Sequence, residues 1–440
     1  MRVVIAGGGI GGLALAQGLK RAGIEVLVAE RDVDLTATGG YRLHLRATAL
    51  QALRVLLPPS LVERLYAASA ADHHGIAVRD HRARLLVHAA PPAPAGPGRP
   101  PDPALDVDRI TLRLVLADGL DDVLRLGTTV VAHTADAHGV TVRLRQAIRP
   151  TEHIESEVRC DLLVAADGAR STVAAQLAGG PTATPTGFSG IAGWTSVDAL
   201  SDKAREVLAT GSLLAVGPGG AGLYASWHDP ARDSPLHPHH RQDNADGALG
   251  AGGVSPIARV IWGVIALETA LPTGLGADLR SRPPEQVLAI AVAALRERGW
   301  TQPLRSLVER ADPATVGAFS FLAADPDHIA PWPASRATAL GDAAHAVPPT
   351  GGRGAATAVE DAADLCATLQ QAAAGEVTAV MAVHDYEQQL RARGAAAVRE
   401  SLQPLGWIKG TATPAGAVAA RLALPVASAA ASGVRKLRRR

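Results

Sequence analysis

Four short apolar runs along the chain each lead, directly or within two residues, into glycine or an acidic residue. The runs are residues 3–6, 26–29, 162–165 and 337–340. Short runs that are apolar at nearly every position predict strands buried on both faces, as in a parallel sheet. Residues 13–21, between the first two runs, predict a helix. The chain therefore begins as a strand–helix–strand unit, which indicates an α/β fold.

From about Thr182 the chain carries strands in close succession, which is typical of an antiparallel sheet. These elements are strands at residues 188–197, 212–216, 222–228 and 258–267, a helix at 200–209, and an earlier hairpin at 75–80 and 84–89. Further predicted elements are strands at 139–145, 155–163 and 316–323 and helices at 110–124 and 283–299. The aromatic residues Trp194, Tyr224, Trp227 and Trp262 predict sheet core, with one or two of them lining an apolar pocket.

The first apolar run leads into a glycine cluster with the spacing G-x-G-x-x-G, at Gly7, Gly9 and Gly12. A helix follows, and then a second strand that ends at Glu30, about 20 residues after the glycines. Glycine permits the tight turn and the close approach of the backbone to a pyrophosphate. Strand, glycines, helix and acid together indicate dinucleotide binding, without distinguishing NAD from FAD.

The fourth run leads into a carboxylate, a proline pair and a second glycine cluster. Asp342 follows the strand, Pro349 closes a rigid proline pair, and Gly352 and Gly354 open a helix. Because a helix N-terminus presents free N–H groups, this segment favours an anionic or electron-rich ligand.

The third run ends in Asp167 and Gly168, which is a turn pair. Ser171 is the predicted N-cap of a helix at residues 172–177. Taken alone, this segment is an ordinary strand–turn–helix unit.

In this order and at these separations, the three motifs resemble those of the FAD-dependent aromatic hydroxylases, the single-component (group A) flavin monooxygenases. A fourth element agrees, since Arg109 precedes a helix where that family places a flavin-contacting arginine. Residues 386–399 resemble the family's long helix after the flavin domain. The resemblance therefore runs from Met1 to about Ser401.

The resemblance implies an α/β fold with a Rossmann-like FAD-binding domain of the glutathione-reductase type, an inserted α+β substrate domain on an antiparallel sheet, and C-terminal helices. The FAD-binding domain is expected at residues 1–72, 105–180 and 281–375, the substrate domain at 73–104 and 181–280, and the C-terminal helical region at 376–440.

The same resemblance implies that NADPH or NADH reduces bound FAD and that O2 adds at the flavin C4a carbon. The resulting hydroperoxide would hydroxylate or epoxidise an apolar aromatic, polycyclic or prenylated small molecule, as in secondary metabolism. Pro349, Thr350 and Gly351 would form the wall beside C4a. No acid–base residue is assigned, although Arg42 and His44 lie where related enzymes contact the flavin or the nicotinamide. The residues expected to bind FAD are Gly7, Gly9, Gly12, Glu30, Arg31, Arg109, Asp167, Gly168, Asp342, Gly352, Gly354 and Ala355.

The sequence departs from the family pattern at three positions. Ala356 stands where the family usually has Asn, Arg353 where Gln is common, and Ala174 where Arg often follows the Asp-Gly motif. Two alternatives stay open: a flavin oxidoreductase of this fold that inserts no oxygen, such as a prenyl reductase or a halogenase, and a flavin-binding protein without turnover. A halogenase of this kind would carry W-x-W-x-I-P, which the chain lacks.

Composition narrows the partners and the compartment. With a formal net charge of +1 and 3% aromatic residues, the chain shows no nucleic-acid footprint. The separated Cys160 and Cys366 indicate a reducing compartment, and no signal peptide precedes the first strand, so we expect a cytoplasmic enzyme. His237, His239 and His240 lack acidic or Cys partners at ligand spacing, so no metal site is expected.

Residues 414–433 are rich in alanine and precede a basic tail. Arg421 and Pro425 interrupt this run, so we expect packed helices rather than a membrane anchor. The sequence leaves the oligomeric state open.

Overall fold

A five-stranded parallel sheet contains the N-terminal strand and the strands of all three motifs. The structure, a computed structural model, describes residues 1–36, 42–71, 75–89, 104–149, 152–229, 258–271, 279–413 and 415–416. In order across the sheet, the strands are β18 (Ala337–Ala339), β12 (Leu162–Ala165), β1 (Arg2–Ala6), β2 (Glu25–Ala29) and β8 (Leu124–Arg125). The central strands are apolar and buried, as expected for a parallel sheet with both faces covered.

Helices pack against this sheet and share one apolar core with it. They are α1 (Ile10–Arg21), α2 (Ala47–Leu56), α3 (Pro59–Ala67), α4 (Arg109–Ala117), α5 (Thr172–Ala178), α9 (Asp342–His345), α10 (Gly354–Ala373) and α11 (Ala379–Gly410). Two three-stranded sheets lie beside it, with the orders β3 (Arg42–Leu45), β7 (Leu105–Asp108), β4 (Ala70–Ala71) and β11 (Glu152–Cys160), β10 (Val140–Arg149), β9 (Thr128–Ala135).

A seven-stranded sheet forms the second large sheet of the protein. Its order is β17 (Gly317–Ala323), β13 (Thr184–Ser196), β16 (Arg259–Leu267), β15 (Ala221–His228), β14 (Ser212–Gly217), β5 (Ile76–Asp80) and β6 (Leu85–Ala89). The predicted antiparallel pairing holds at every junction except one, since β14 and β5 are parallel. These two strands come from separate passages of the chain, so no hairpin imposes an antiparallel direction.

The two faces of the seven-stranded sheet have different neighbours. On one face, α6 (Asp202–Leu208), α7 (Pro284–Glu297) and α8 (Gln302–Glu309) surround the buried Trp262. On the other face, Phe188 and Ile265 contact Leu405 and Ile408 at the end of α11. Helix α11 therefore joins the seven-stranded sheet to the parallel one.

One predicted domain boundary differs from this packing. Residues 281–375 were assigned to the FAD-binding domain, but β17 pairs with β13, and α7 and α8 pack on the seven-stranded sheet. An apolar strand or an amphipathic helix carries no local signal for the sheet that it joins, so this assignment depends on long-range packing.

Several elements have other bounds in the structure than the sequence predicts. The helix predicted at 110–124 ends at Ala117, because the chain turns at Gly119 (φ +74°) and then forms β8. The strand predicted at 155–163 is two strands, β11 and β12, separated at Asp161. Strand β9 and helix α8 had not been predicted. The loop containing His237, His239 and His240 and the C-terminal residues 417–440 lie outside the described residues.

Candidate functional site

The three sequence motifs meet at one edge of the parallel sheet. Ala6 of β1 pairs with Ala165 of β12, and Ala165 pairs with Ala339 of β18. Because parallel strands end at the same edge, the segments that follow Ala6, Ala165 and Ala339 converge there. In open α/β sheets, ligands bind in the crevice outside this edge.

The turn after β1 requires glycine at two positions. Gly7 has φ +108°, and a Cβ there would lie 2.4 Å from the Ala166 carbonyl oxygen. A Cβ on Gly12 would lie 2.2 Å from the Gly7 carbonyl oxygen. At Gly9, the N-cap of α1, the nearest atom to a Cβ is 3.8 Å away. Gly7 and Gly12 thus permit the packing of strand and helix, and Gly9 leaves the backbone open at the helix N-terminus.

Glu30, at the end of β2, is held by the glycine turn and by an arginine. Its Oε2 accepts a hydrogen bond from the Gly8 N–H (2.6 Å) and lies 3.1 Å from Nη2 of Arg113. Arg113 also donates to the Gly8 carbonyl oxygen (2.9 Å) and to Asp32 (2.9 Å). Both side chains of the Glu30–Arg113 pair are buried. This contact orients the Glu30 carboxylate at the sheet edge.

The sequence reasoning missed Arg113. Arg109 was chosen because it matches the family motif, whereas Arg113 lies four residues later on the same face of α4. An arginine within an otherwise apolar helical stretch was the available signal, since a buried guanidinium requires acceptors.

Asp167 carries an unsatisfied acceptor beside the glycine turn. Its Oδ1 is buried and has no hydrogen-bond donor among the residues that the structure describes. Burial raises the pKa of this carboxyl, although Ser171 and Thr172 act in the opposite direction. Gly168 has φ +86° and open space around its Cβ position. A ligand with a donor group, such as a hydroxyl, fits this position.

Asp342 lies on the floor of a solvent-accessible cleft at the end of β18. Its side chain reaches solvent, although protein atoms surround it. Desolvation by these atoms raises the pKa of its carboxyl, while His345 and Arg109 act in the opposite direction. Its Oδ1 is 3.7 Å from the Cβ position of Gly354, the first residue of α10. The carboxylate, the predicted arginine and a helix N-terminus are therefore close together, as the sequence motifs implied.

A buried polar network around Asp361 holds Gly341 and His345, which lie on either side of Asp342 in the chain. The carboxylate of Asp361 accepts from the Gly341 N–H (3.0 Å), lies 2.6 Å from His345 Nε2, and accepts from Arg393 (2.8 Å). Burial alone would lower the pKa of His345, but Asp361 raises it above its usual value. Correspondingly, His345 and Arg393 outweigh burial and lower the pKa of Asp361. This network fixes the turn that presents Asp342.

The predicted wall, Pro349–Gly351, forms a short 3-10 turn between α9 and α10 in the chain, and it packs against Ser401 of α11. Thr350 Oγ1 donates to the Ser401 carbonyl oxygen (2.6 Å), and a Cβ on Gly351 would lie 2.4 Å from Ser401 Oγ. Gly352 (φ +60°) has its Cβ position 3.6 Å from Cβ of His44. The wall is therefore held on both sides.

The helix that follows the wall begins as predicted. Gly354 is the first residue of α10, Ala355 is partly exposed in its first turn, and the departure from the family pattern, Ala356, is buried. The first N–H groups of a helix have no partner within it, so α10 offers free donors to the cleft beside Asp342.

Arg42 and His44 lie on β3, where the three-stranded sheet of β3, β7 and β4 contacts the seven-stranded sheet. Arg42 forms an ion pair with the buried Asp106 and donates a hydrogen bond to the hydroxyl of Tyr224 on β15. His44 Nδ1 lies 2.9 Å from the other oxygen of Asp106. Burial would raise the pKa of Asp106, but Arg42 and His44 lower it below its usual value. Arg31, by contrast, is largely exposed at the rim of the crevice.

Comparison with known proteins agrees with this arrangement. Residues 1–227 and 301–401 match the FAD binding domain family. The chain belongs to this family of FAD-dependent monooxygenases. It is 30% identical over 372 residues to the aurachin C monooxygenase/isomerase of Stigmatella aurantiaca, covering 84% of this chain and 80% of that protein.

Two further comparisons, one with a protein sequence and one with a solved structure, extend this result. The chain is 27% identical to the chloroplastic zeaxanthin epoxidase of Solanum lycopersicum, over 84% of this chain but only 48% of that protein. Klebsiella pneumoniae HpxO, solved with FAD and uric acid, has the same fold, with a TM-score of 0.70 and 21% identity over 97% of this chain and 92% of that chain. The resemblance predicted from the motifs is therefore confirmed.

The residues at the sheet edge fit FAD, the cofactor of this family. Oδ1 of Asp167, which has no donor within the described part of the chain, supplies an acceptor. The open positions at Gly9 and Gly168 permit close backbone approach, and the N-termini of α1 and α10 supply N–H donors. Within the described ranges, no three His, Cys, Asp or Glu side chains are grouped to hold a metal ion. None of the helices that the structure describes is long and apolar enough to cross a membrane.

Proposed function

We propose that this FAD monooxygenase uses NADPH or NADH to insert one oxygen atom of O2 into an apolar aromatic, polycyclic or prenylated small molecule. The observation that carries the proposal is the register of Ala6, Ala165 and Ala339, which brings all three flavin motifs to one crevice. Bound FAD supplies the electron transfer and the activation of O2.

Each motif has a proposed role toward FAD. Gly7, Gly9 and Gly12 would contact the pyrophosphate, and Glu30, oriented by Arg113, would bind the adenosine ribose. This is a proposal from geometry and motif together, since glycine at these positions leaves the backbone accessible.

The late motif would bind the other half of FAD. Asp342, with Arg109 beside it, would bind on the ribityl side, and Asp167 would accept from a hydroxyl of the cofactor. The N–H groups of Gly354 and Ala355, in the first turn of α10, would face the electron-rich edge of the isoalloxazine, and Gly352, whose own N–H donates to the Pro349 carbonyl oxygen, would let the backbone approach the ring. Pro349–Gly351 would shield the reactive side of the ring from water.

The relatives support the reaction type and the substrate class. The two curated relatives are, by name, a monooxygenase/isomerase for aurachin C and an epoxidase for zeaxanthin. Both names describe oxygen chemistry on organic small molecules, which favours oxygen insertion over the prenyl-reductase alternative. We also propose that the enzyme acts in secondary metabolism and that it is cytoplasmic.

The test measures flavin, electrons and oxygen separately. Purified protein is assayed for bound FAD by absorption, then for oxidation of NADPH and NADH with a panel of polyketide, indole and prenylated compounds under 18O2. We expect bound FAD and a product that is heavier by one 18O atom. Turnover that continues without O2 would replace the proposal with the reductase, and ligand binding without NAD(P)H oxidation would replace it with a binding protein.

A further inference from the structure

A row of small residues crosses the seven-stranded sheet on the face that contacts α11. Gly317 of β17 pairs with Ala192 of β13, and Ala192 pairs with Gly263 of β16. We call these three the small-residue row. All three are at least partly exposed, and no atom of the described residues lies within 4 Å of a Cβ built at Gly263 or Gly317. The row is therefore a depression in the surface of the sheet.

Aromatic side chains border the depression on three sides. Tyr224 of β15 pairs with Gly263 and extends the row at one end. Trp194 and Phe319, each partly exposed, lie two residues along their strands from Ala192 and Gly317, on the same face. Because rings border a floor whose only side chain is the methyl group of Ala192, the depression has the shape to accept a flat ring.

Contacts connect this depression to the predicted flavin wall. Gly352 lies beside His44, His44 contacts Asp106, Asp106 pairs with Arg42, and Arg42 donates to Tyr224. Three side chains therefore link Tyr224, at one end of the small-residue row, to the residue that follows the wall.

The hydroxyl group of Tyr224 accepts a hydrogen bond from Arg42, and its own O–H has no acceptor among the described residues. A phenol has one O–H donor, and arginine can only donate, so Arg42 uses the Tyr224 oxygen as an acceptor. On the same face of β15, His228 is 2% exposed and its Nδ1 also lacks a partner there. This end of the depression thus carries two polar groups, the Tyr224 O–H and His228 Nδ1, that the described part of the chain leaves without a partner.

The charges at this end are balanced. Arg42 pairs with Asp106, and Arg259 lies 3.5 Å from Asp108. Burial and Arg259 lower the pKa of His228 to about 4, so it is neutral near pH 7. The described arginines at this end, Arg42 and Arg259, therefore both face a carboxylate already, and burying an anion without a cation partner is unfavourable.

We propose that the small-residue row is the floor under one flat, uncharged ring of the substrate, and that Tyr224 donates a hydrogen bond to an acceptor oxygen on the rim of that ring. Gly263 and Gly317 set the thickness of ligand that the floor accepts, and Tyr224 selects rings that carry a carbonyl or ether oxygen. This inference rests on the proposed function, since it places the acceptor substrate of that same site.

The test compares the binding of three flat probes of similar size to FAD-loaded protein by calorimetry, which requires no turnover. Chromone carries a carbonyl acceptor, naphthalene carries none, and 1-naphthoate is an anion. We expect chromone to bind about 5-fold more tightly than naphthalene, from one neutral hydrogen bond. We expect 1-naphthoate to bind most weakly.

Matched variants separate the donor from the floor. Tyr224→Phe should abolish the preference for chromone, whereas Tyr66→Phe should keep it, because Tyr66 also accepts from an arginine but lies on the distant α3. Gly263→Val should weaken both neutral probes about 10-fold or more, and Gly180→Ala, with open space around its Cβ, should not. If Gly263→Val does not fold, Gly263→Ala should show the same direction with a smaller change.

Each outcome decides between the two claims. A chromone preference that survives Tyr224→Phe, unchanged binding in the Gly263 variants, or tightest binding of 1-naphthoate would overturn the inference and leave the proposed function standing. Protein that binds no FAD would overturn the proposed function, while the same probes titrated without FAD would still test the floor.

Discussion

Arg113 and Glu30 form a buried ion pair, with Nη2 of the arginine 3.1 Å from Oε2 of the carboxylate. The same guanidinium donates to the Gly8 carbonyl oxygen at 2.9 Å. One side chain on α4 thus holds both the glycine turn and the acid that the dinucleotide motif requires.

Replacing Arg113 with methionine should destabilise the protein and weaken FAD binding together. The change leaves Glu30 buried without its cation, which typically costs about 3–5 kcal/mol. Chemical denaturation and FAD titration measure the two effects. The control is Arg145→Met, which breaks the exposed Arg145–Glu155 pair and should cost under about 1 kcal/mol. Equal losses in the two variants would show that the Arg113 pair has no special role.

Alanine at Gly7 should impair both folding and FAD binding. Its φ of +108° is unfavourable for a residue with a Cβ, and that Cβ would lie 2.4 Å from the Ala166 carbonyl oxygen. Backbone strain of this kind costs on the order of 1–3 kcal/mol, before the steric clash. Thermal unfolding and flavin content are the measurements, with Gly180→Ala as the control in open space. Normal flavin content in Gly7→Ala would contradict the close packing of this turn.

Asp167→Asn should separate stability from cofactor binding. Burial raises the pKa of Asp167, so its charged form is unfavourable in the folded protein, and Oδ1 has no donor among the described residues. Without FAD, the neutral variant should be as stable as the wild type or more stable by up to about 1 kcal/mol. FAD affinity should fall by about 5- to 10-fold if a cofactor hydroxyl donates to this carboxylate. A parallel loss of apo stability and FAD affinity would indicate a purely structural carboxylate.

The His345–Asp361 pair should give stability a defined pH dependence. The pKa of His345 is raised above its usual 6.5, so its contribution is complete below pH 6.5 and is lost as pH rises through the folded pKa. The pKa of Asp361 is lowered below 3.8, so its contribution is present above pH 3.8 and is lost as pH falls through the folded pKa.

The stability difference between wild type and His345→Gln should therefore be largest between about pH 4 and pH 6.5 and should shrink at higher pH. Denaturation at a series of pH values measures this difference. His384→Gln, at an exposed histidine on α11, should show no such dependence. A difference that grows above pH 7 would mean that neutral His345 is the stabilising form.

Local patterns predicted much of the architecture because their physical causes are local. Gly7 and Gly12 restrict the turn after β1 sterically, and Ser171 caps α5 by accepting from the Ala174 N–H. Strand β15 was predicted almost to the residue, since its apolar and aromatic positions favour an extended chain. The end of α4 was misplaced because the turn at Gly119 interrupts a sequence that is otherwise compatible with a helix.

By itself, the sequence determined the strand–glycine–helix units, the family and the nature of the cofactor, because each motif is a short segment whose chemistry depends on its own residues. Only the tertiary structure decided that Arg113 pairs with Glu30, that β17 joins the seven-stranded sheet, and that Gly317, Ala192 and Gly263 lie in one row. The physical reason is register. The pairing of strands far apart in the chain depends on packing over the whole sheet, and no local pattern specifies it.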